Sequence, residues 1–325
     1  MNRNMLRAGM VALGMLAVSL PALYVHTRCD IWPEDDAYIT YRYVQNAVAG
    51  NGLVYNAGER VFGSSSPVFT VALCALKAVF PSVDIATLAV RLNVVPFLVC
   101  AFLLVLLVQK LTRARLPACL AGGLLLLNPF MLEVSIGGME AFWFAALVLA
   151  ALVMGVSGYL VPAFALAGLA TLTRPEGVLY AGALAVLLPW RPRPPWRAMV
   201  HCGAAYAVVL LLWGIPATLY YGSPVPHSLI AKSQPLYPLT AGTALREMLV
   251  LFRSWAVGDR PVSLSWLWSA VALVPAVVAL SGFGIAWKRG HRVPVIALLP
   301  IALFVAFYTV SNPMIFPWYW PNLYV

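Results

Sequence analysis

Nine long apolar runs restrict what this chain can fold into more than any other feature. A helix needs about 17–25 apolar residues to cross the hydrocarbon core of a bilayer. The runs lie at residues 6–25, 88–109, 116–132, 139–156, 159–173, 177–190, 197–220, 265–287 and 293–310, the fifth and sixth being short. Charged residues make up only 10% of the 325 residues, against about 25% in a soluble domain. The sequence therefore predicts an all-α polytopic membrane protein, a single helix bundle over residues 1–325, and excludes a soluble enzyme, a disordered chain and a disulfide scaffold.

A further apolar run at residues 66–80 is expected to form a helix that does not cross the membrane. It is only about 15 residues long, contains Lys77 and ends at Pro81. A helix of this kind lies in the interface or re-enters the bilayer on one side. The first run, with Arg3 and Arg7 before it, resembles a signal peptide, but no small-residue cleavage site follows it, so we expect an uncleaved first helix.

Basic residues in the short loops give the orientation of the predicted spans, because cytoplasmic loops carry an excess of Lys and Arg. When residues 66–80 do not cross, four basic groups fall on one side: Arg3 and Arg7; Lys110, Arg113 and Arg115; Arg191, Arg193 and Arg197; and Lys288, Arg289 and Arg292. We therefore expect a multi-pass protein of the inner (cytoplasmic) membrane with a cytoplasmic N-terminus. Two long loops, roughly residues 26–87 and 221–264, then lie outside.

The acidic residues indicate a working surface on that outer side. All 11 fall in outer loops or at outer ends of spans: Asp30, Glu34, Asp35, Asp36, Glu59, Asp84, Glu133, Glu140, Glu176, Glu247 and Asp259. Acids contribute little to topology, so their segregation favours a polar functional surface built from the two long loops. The net charge of +10 reflects orientation, since no basic stripe with interleaved aromatic residues indicates a nucleic-acid partner.

The segment after Pro33 carries three consecutive acids, Glu34, Asp35 and Asp36. Proline followed by acids is typical of a helix N-terminus with the acids in its first turn. Adjacent carboxylates here have two interpretations, which the pattern leaves open. They are solvated caps, or one is a general base that takes a proton from a hydroxyl while its neighbour orients it or holds a cation.

The rest of the first outer loop is expected to contain a helix and a small hairpin. Four-residue spacing of Ile39, Tyr43 and Ala47 predicts one packed helix face, and the stretch 50–52, Gly-Asn-Gly, ends the helix. The apolar pieces 53–55 and 60–62, joined by a turn, are typical of a β-hairpin.

Several segments taken in order resemble bacterial GT-C glycosyltransferases. The nearest group is the arabinofuranosyltransferase and mannosyltransferase-like members that use polyprenyl-phosphate sugars. The segments are Glu34 to Tyr43 with Gly50 to Val61, Gly137-Gly138-Met139-Glu140, Leu172-Thr173-Arg174-Pro175-Glu176-Gly177, Tyr220 to Lys232, and Phe316-Pro317-Trp318-Tyr319. Two stretches depart from the family: Gly63-Ser64-Ser65-Ser66-Pro67 replaces a common Gly-Tyr-Thr-Asn, and His227 replaces a commoner Asn. The aromatic C-terminal stretch is similar to the approach to another helix, so we expect helices beyond Val325.

The resemblance implies an integral membrane glycosyltransferase with a periplasmic active site. Asp35 or Asp36 is then the general base, with Asp35 preferred because it comes first in the family-like string. The donor is a polyprenyl-phosphate sugar, the acceptor is a hydroxyl of an envelope glycan, lipid or protein, and transfer inverts the anomeric carbon.

The resemblance also implies cations that bind the donor phosphate at the membrane surface. Arg174, His227 and Lys232 are the candidates, and the alternative for each is a snorkelling anchor at the interface. The supporting residues are Glu34, Arg42, Glu59, Arg60, Glu140 and Glu176, with Arg42 and Arg60 expected to pair with local acids. No cofactor is established, and a divalent cation held by Asp36 is left open.

Two other classes of function stay open from the sequence. One is a transporter or flippase for a lipid-linked solute, although the predicted span interiors hold almost no ionisable residues. The other is a non-catalytic, truncated homologue. A sugar-nucleotide donor is disfavoured, because such donors are made in the cytoplasm and the acids are expected on the opposite side of the membrane.

The topology gives the first testable prediction. A Cys placed at Ser65 should react with a membrane-impermeant thiol reagent added from outside, whereas a Cys at Arg193 should not, because the two positions lie on opposite sides of the predicted bundle. Labelling of intact cells or spheroplasts measures this, with detergent-opened membranes as the control. The reverse labelling pattern would contradict the orientation.

Overall fold

A computed structural model of the chain describes residues 19–28, 33–187, 195–232, 240–257 and 293–311. All regular structure in these residues is helical, which confirms the predicted all-α class. The predicted span at 265–287 and most of the one at 6–25 lie outside the described residues. The helices are α1 (residues 19–28), α2 (Ala37–Val48), α3 (Pro67–Val79), α4 (Ile85–Leu92), α5 (Val94–Thr112), α6 (Arg115–Leu127), α7 (Pro129–Ile136), α8 (Ala141–Ser157), α9 (Leu160–Thr173), α10 (Gly177–Leu187), α11 (Trp196–Tyr221), α12 (His227–Lys232), α13 (Thr243–Val257) and α14 (Val293–Ser311).

The described residues contain fewer helices of spanning length than the predicted spans that fall on them. Among the described residues, Ile85–Thr112 and Trp196–Tyr221 are long and apolar enough to cross a membrane. A third crossing results if α6 and α7 count as one span. The helices at three other predicted spans, α8, α9 and α10, are shorter, with 17, 14 and 11 residues. Helix α3 has 13 residues, so its length agrees with the prediction that run 66–80 does not span.

The predicted span at 116–132 is not one continuous helix, because α6 and α7 meet at a bend of 57°. The bend lies at Asn128, whose backbone is extended and whose side-chain Oδ1 accepts a hydrogen bond from Met131 N at 3.0 Å. Pro129 follows as the first residue of α7. An Asn cap followed by Pro starts a new helix and cannot continue the preceding one.

The chain divides into two compact units, residues 1–234 with residue 325, and residues 235–324. In the first unit, α9 packs against α8, α10 and α11, and α5 packs against α6 and α8. Small residues allow the close approach: a Cβ on Gly168 of α9 would lie only 2.9 Å from the Cβ of Val209 in α11. In the described part of the second unit, α13 packs against α14. The single domain over 1–325 stays a prediction.

The segment between α2 and α3 is a loop, and the β-hairpin predicted at 53–62 is wrong. Its backbone groups bond to side chains of α2 in place of a facing strand. Asn46 Nδ2 donates to the carbonyls of Val54 and Tyr55 at 3.0 and 2.8 Å. Tyr43 Oη donates to Val61 O at 2.7 Å and accepts from Gly63 N at 2.8 Å. Side chains of α2 therefore form the hydrogen bonds to the loop backbone that the facing strand of a hairpin would have formed.

The buried face of α2 also differs from the predicted one. Ala37, Tyr41 and Val44 are buried and pack with Phe69 of α3. Of the predicted face, Tyr43 is buried, residue 47 is half-buried and residue 39 is 41% exposed. The stripe follows the helical spacing of three and four residues, shifted from the predicted Ile39 face.

The start of α10 gives a test of the packing. A Cβ on Gly177 would overlap the backbone of Thr171, while a Cβ on Gly182 in the same helix would meet nothing within 4 Å. Gly177→Ala should therefore lower the thermal unfolding midpoint, with an overpacking cost of about 1–3 kcal/mol. Gly182→Ala should leave the midpoint unchanged or raise it, because Ala is the better helix former. Equal midpoints for the two variants in detergent would contradict this packing.

Candidate functional site

The acid turn, defined here as Glu34–Asp36, leads directly into α2. The N–H groups of Ala37, Tyr38 and Ile39 donate to the carbonyls of the three acids at 3.0–3.2 Å. The prediction that the acids occupy the first turn of the helix is therefore wrong, because all three precede Ala37, where the helix begins. The side chain of Asp36 makes no capping bond, and Asp35 Oδ1 accepts from Asp36 N at 2.9 Å. Asp35 is exposed and Asp36 is half-buried.

A second loop, Gly137–Met139, holds the acid turn in place. Glu34 N donates to Gly137 O at 3.0 Å, and Tyr41 Oη donates to Gly138 O at 2.9 Å. Gly138 has a φ of +72°, and a Cβ there would overlap the Tyr41 hydroxyl. Glycine at this position therefore lets both the backbone conformation and the tyrosine contact form.

The carboxyl of Glu34 lies in a cluster of like charges. Partial burial raises its pKa above the usual range, and the carboxylates of Asp35, Glu133 and Asp36 raise that pKa further. A carboxylate with a raised pKa is the stronger base once it is ionised. Glu34, predicted only as a supporting residue, thus carries a carboxyl group of raised pKa beside the two aspartates.

An ion triad is buried in the first unit at the ends of three helices. Arg174 Nη1 lies 3.2 Å from Glu140 Oε1, and Arg174 Nη2 lies 3.4 Å from Glu176 Oε1. The three residues are 6%, 7% and 7% exposed. Glu140 directly precedes α8, Arg174 directly follows α9, and Glu176 directly precedes α10. The triad therefore ties the start of α8 to the turn between α9 and α10, which lies 34 residues later in the sequence.

The three predicted phosphate-binding cations have different environments. Arg174 is buried and its guanidinium contacts two carboxylates. His227 is exposed at the start of α12, where its backbone N–H donates to Phe62 O at 2.7 Å. Lys232 ends α12, and its side chain lies outside the described part of the structure.

The prediction that Arg42 and Arg60 pair with local acids is wrong. Arg42 Nε donates to Tyr55 O at 3.2 Å, and the Arg60 guanidinium lies 4.8 Å from the ring centre of Tyr220. Arg42 therefore bonds to a carbonyl and Arg60 lies over an aromatic ring, because the loop folds back onto α2 and the end of α11. Glu59 accepts a bond from Asn56 Nδ2 at 3.0 Å within the same loop.

An apolar groove of about 650 Å³ lies between α11, the end of α9 and the segment before α12. Its walls include Leu210, Trp213, Gly214, Pro175, Pro226 and Leu229. Within the described residues, Trp213 Nε1 and Ser228 Oγ are buried and have no hydrogen-bond partner. A groove of this size and lining fits a hydrocarbon chain.

No three His, Cys, Asp or Glu side chains in the described residues converge as they would around a metal ion. Asp36 as a holder of a divalent cation stays a prediction.

Some polar residues of the site were not identified from the sequence. Asn93 is 1% exposed, donates to Met139 O at 2.9 Å and accepts from Trp143 Nε1 at 2.9 Å. His26, also 1% exposed, lies with Nε2 2.8 Å from Ser135 Oγ. The sequence signal that could have identified them is a polar residue in or beside an apolar run. Burying such a residue is costly, so it is expected to have hydrogen-bond partners.

The chain is similar to two curated proteins named terminal beta-(1->2)-arabinofuranosyltransferase. The one from Corynebacterium glutamicum is 32% identical over 232 residues, which cover 62% of this chain and 33% of that relative. The one from Mycobacterium tuberculosis is 29% identical over 225 residues, which cover 62% of this chain and 35% of that relative. The chain thus spans about a third of the length of the curated relatives it matches.

No protein-family model matches the chain. The two relatives confirm the predicted resemblance to arabinofuranosyltransferase-like proteins.

Proposed function

We propose that this chain carries a glycosyl-transfer site of a membrane glycosyltransferase that modifies the cell envelope. The observation that carries the proposal is the acid turn, whose Asp35 carboxylate is exposed on a turn that the Gly137–Met139 loop holds by backbone contacts. An accessible carboxylate on a fixed turn suits a general base. The similarity to two arabinofuranosyltransferases supports transfer of a pentofuranosyl, and specifically arabinofuranosyl, group.

In the proposed reaction, Asp35 accepts the proton of an acceptor hydroxyl. The hydroxyl oxygen bonds to the anomeric carbon of the donor sugar from the face opposite the leaving group. The bond between that carbon and the phosphate oxygen breaks, and polyprenyl phosphate leaves as an anion. Attack from the opposite face inverts the anomeric carbon. Asp36 orients the base or holds a divalent cation, and Glu34 lies beside both.

The apolar groove supports the polyprenyl part of the proposed donor. Its walls are almost entirely hydrocarbon, as a polyprenyl chain requires. The exposed His227 follows the groove residue Pro226 and supplies a proton or positive charge for the leaving phosphate, together with Lys232. Charge-assisted hydrogen bonds of this kind stabilise a developing anion.

The acceptor is proposed to be a hydroxyl of an envelope glycan, lipid or protein. The reaction takes place on the periplasmic face of the inner membrane, with the N-terminus of the chain in the cytoplasm. The segregation of acids and basic groups on opposite sides of the predicted spans supports this placement.

Substitution of the two aspartates tests the base. Asp35→Asn keeps the shape and removes the basicity, so transfer from a synthetic polyprenyl-phosphate arabinofuranose should fall by about 10²–10⁴-fold. Donor binding should survive, since the phosphate is held elsewhere. Asp36→Asn is the matched control and should cost less. If only Asp36→Asn loses activity, Asp36 is the base and Asp35 the supporting residue. If both variants turn over normally, neither is the base and the acids are solvated caps.

A substitution in α11 tests the groove. Gly214→Leu should fill the groove, because the Gly214 Cβ direction points at Pro224, 3.8 Å away. We expect a higher KM for a long-chain polyprenyl donor and little change for a donor with a single isoprene unit. Gly203→Leu, in the same helix but facing open space, is the control. An equal rise of KM for both chain lengths would show that the groove does not bind the lipid tail.

A further inference from the structure

We propose that the ion triad of Arg174, Glu140 and Glu176 is a positioning device for the acid turn, acting through the Gly137–Met139 loop. The inference rests on the proposed function, because it assigns the acid turn as the site of the base. It gives Arg174 a role through other residues and not as a ligand of the donor phosphate.

One end of the Gly137–Met139 loop is fixed by the triad. Glu140 is the residue that follows the loop, and its carboxylate contacts Arg174 at 3.2 Å. Its carbonyl accepts from Phe144 N at 2.9 Å in the first turn of α8. A movement of Glu140 would therefore move both the start of α8 and the loop before it.

The last residue of the loop, Met139, is fixed by Asn93, at the junction of α4 and α5. Its side-chain amide donates to Met139 O, and its oxygen accepts from Trp143 of α8, each at 2.9 Å. Asn93 is fully buried, so both bonds replace water contacts that it lost on folding.

The remaining part of the loop carries the acid turn. Gly137 O accepts from Glu34 N, and Gly138 O accepts from Tyr41 Oη. A path thus joins Arg174 to Asp35 through the ion pair with Glu140, the backbone from Glu140 to Gly137, and the bond from Glu34 N to Gly137 O. Asp35 follows Glu34 directly, and the bond from Tyr41 to Gly138 O runs beside this path. These contacts are short and lie in packed surroundings, so a displacement of Glu140 is expected to displace the acid turn as well.

The charges of the triad argue against a phosphate ligand. One guanidinium faces two carboxylates that are themselves buried, so the three groups carry net negative charge when all are ionised. An approaching phosphate would meet that charge in surroundings where repulsion is poorly screened. Buried ion pairs contribute little net stability but strongly specify geometry in several systems, which fits a positioning role.

Hydrogen exchange of the purified protein in lipid nanodiscs tests the proposal independently of activity. Glu140→Gln keeps the side-chain shape, leaves the Arg174–Glu176 pair and weakens the link to the loop. The amide of Glu34 should then exchange about 2–10-fold faster, as expected for weakening of one hydrogen bond. The amide of Gly63, which Tyr43 holds, should exchange at the wild-type rate.

Two tyrosines of α2 form a matched pair of variants. Tyr41→Phe removes the bond to Gly138 O, and Tyr43→Phe removes the bonds to Val61 and Gly63. Tyr41→Phe should speed exchange at Glu34 and not at Gly63, and Tyr43→Phe should do the opposite. The double variant Glu140→Gln with Tyr41→Phe should change exchange at Glu34 by less than the product of the single effects, because both act on one loop.

Kinetics separate positioning from ligand binding. Glu140→Gln and Tyr41→Phe should lower kcat for transfer while the donor Kd stays within about twofold of wild type. If the Glu34 amide exchanges at the wild-type rate in Glu140→Gln, the positioning role is wrong. This holds even when the wild-type protein catalyses transfer, so it does not depend on the proposed function. Weaker donor binding in Arg174→Gln with unchanged exchange at Glu34 would overturn the positioning role too and assign Arg174 to the phosphate. A wild-type protein that makes no transfer product would instead overturn the proposed function.

Discussion

Burial of Arg174 is the constraint on which the arrangement of the first unit depends. A guanidinium with 6% exposure is tolerated only when carboxylates and hydrogen bonds replace its water. Glu140 and Glu176 come from the starts of two helices, so satisfying one charge brings the ends of α8, α9 and α10 to one point. Gly177 then allows the turn after Glu176 to lie against α9 without a clash. The short helices α8–α10 are therefore joined by polar chemistry at their ends as well as by apolar packing along their length.

The acid turn and the 49–66 loop are held by the same physical device, a buried tyrosine hydroxyl that bonds to loop backbone. Tyr41 reaches Gly138 O from one side of α2, and Tyr43 reaches Val61 O from another. Loop backbone that lacks a strand or helix partner must find other donors and acceptors. Because α2 supplies them, a single helix sets the position of the candidate base and of the loop that reaches His227.

Local pattern in the sequence predicted the helices well, and tertiary pairing much less well. The apolar runs placed most of the described helices, and Gly50-Asn51-Gly52 correctly ended α2, with Gly50 and Gly52 at positive φ. The hairpin was wrong because the side chains of Asn46 and Tyr43 compete for the same backbone groups. Arg174 looked like a free interfacial cation because its partner Glu140 lies 34 positions earlier, a separation that spacing rules do not reach. From the sequence, the choice of Asp35 as the proposed base rested on the resemblance, since an acid pair before a helix also fits a simple cap.

The turn between α9 and α10 faces two environments within three residues. Arg174 and Glu176 point into the ion triad, while Pro175 between them forms part of the wall of the apolar groove. Proline fixes its own φ and restricts the residue before it, so the backbone here has little freedom to absorb a change on either side. A chain that fills the groove would press on the same turn that holds Glu140, and hence on the loop that carries the acid turn. In the proposed enzyme, one turn therefore forms part of the wall that faces the donor lipid and part of the ion triad that contacts Glu140.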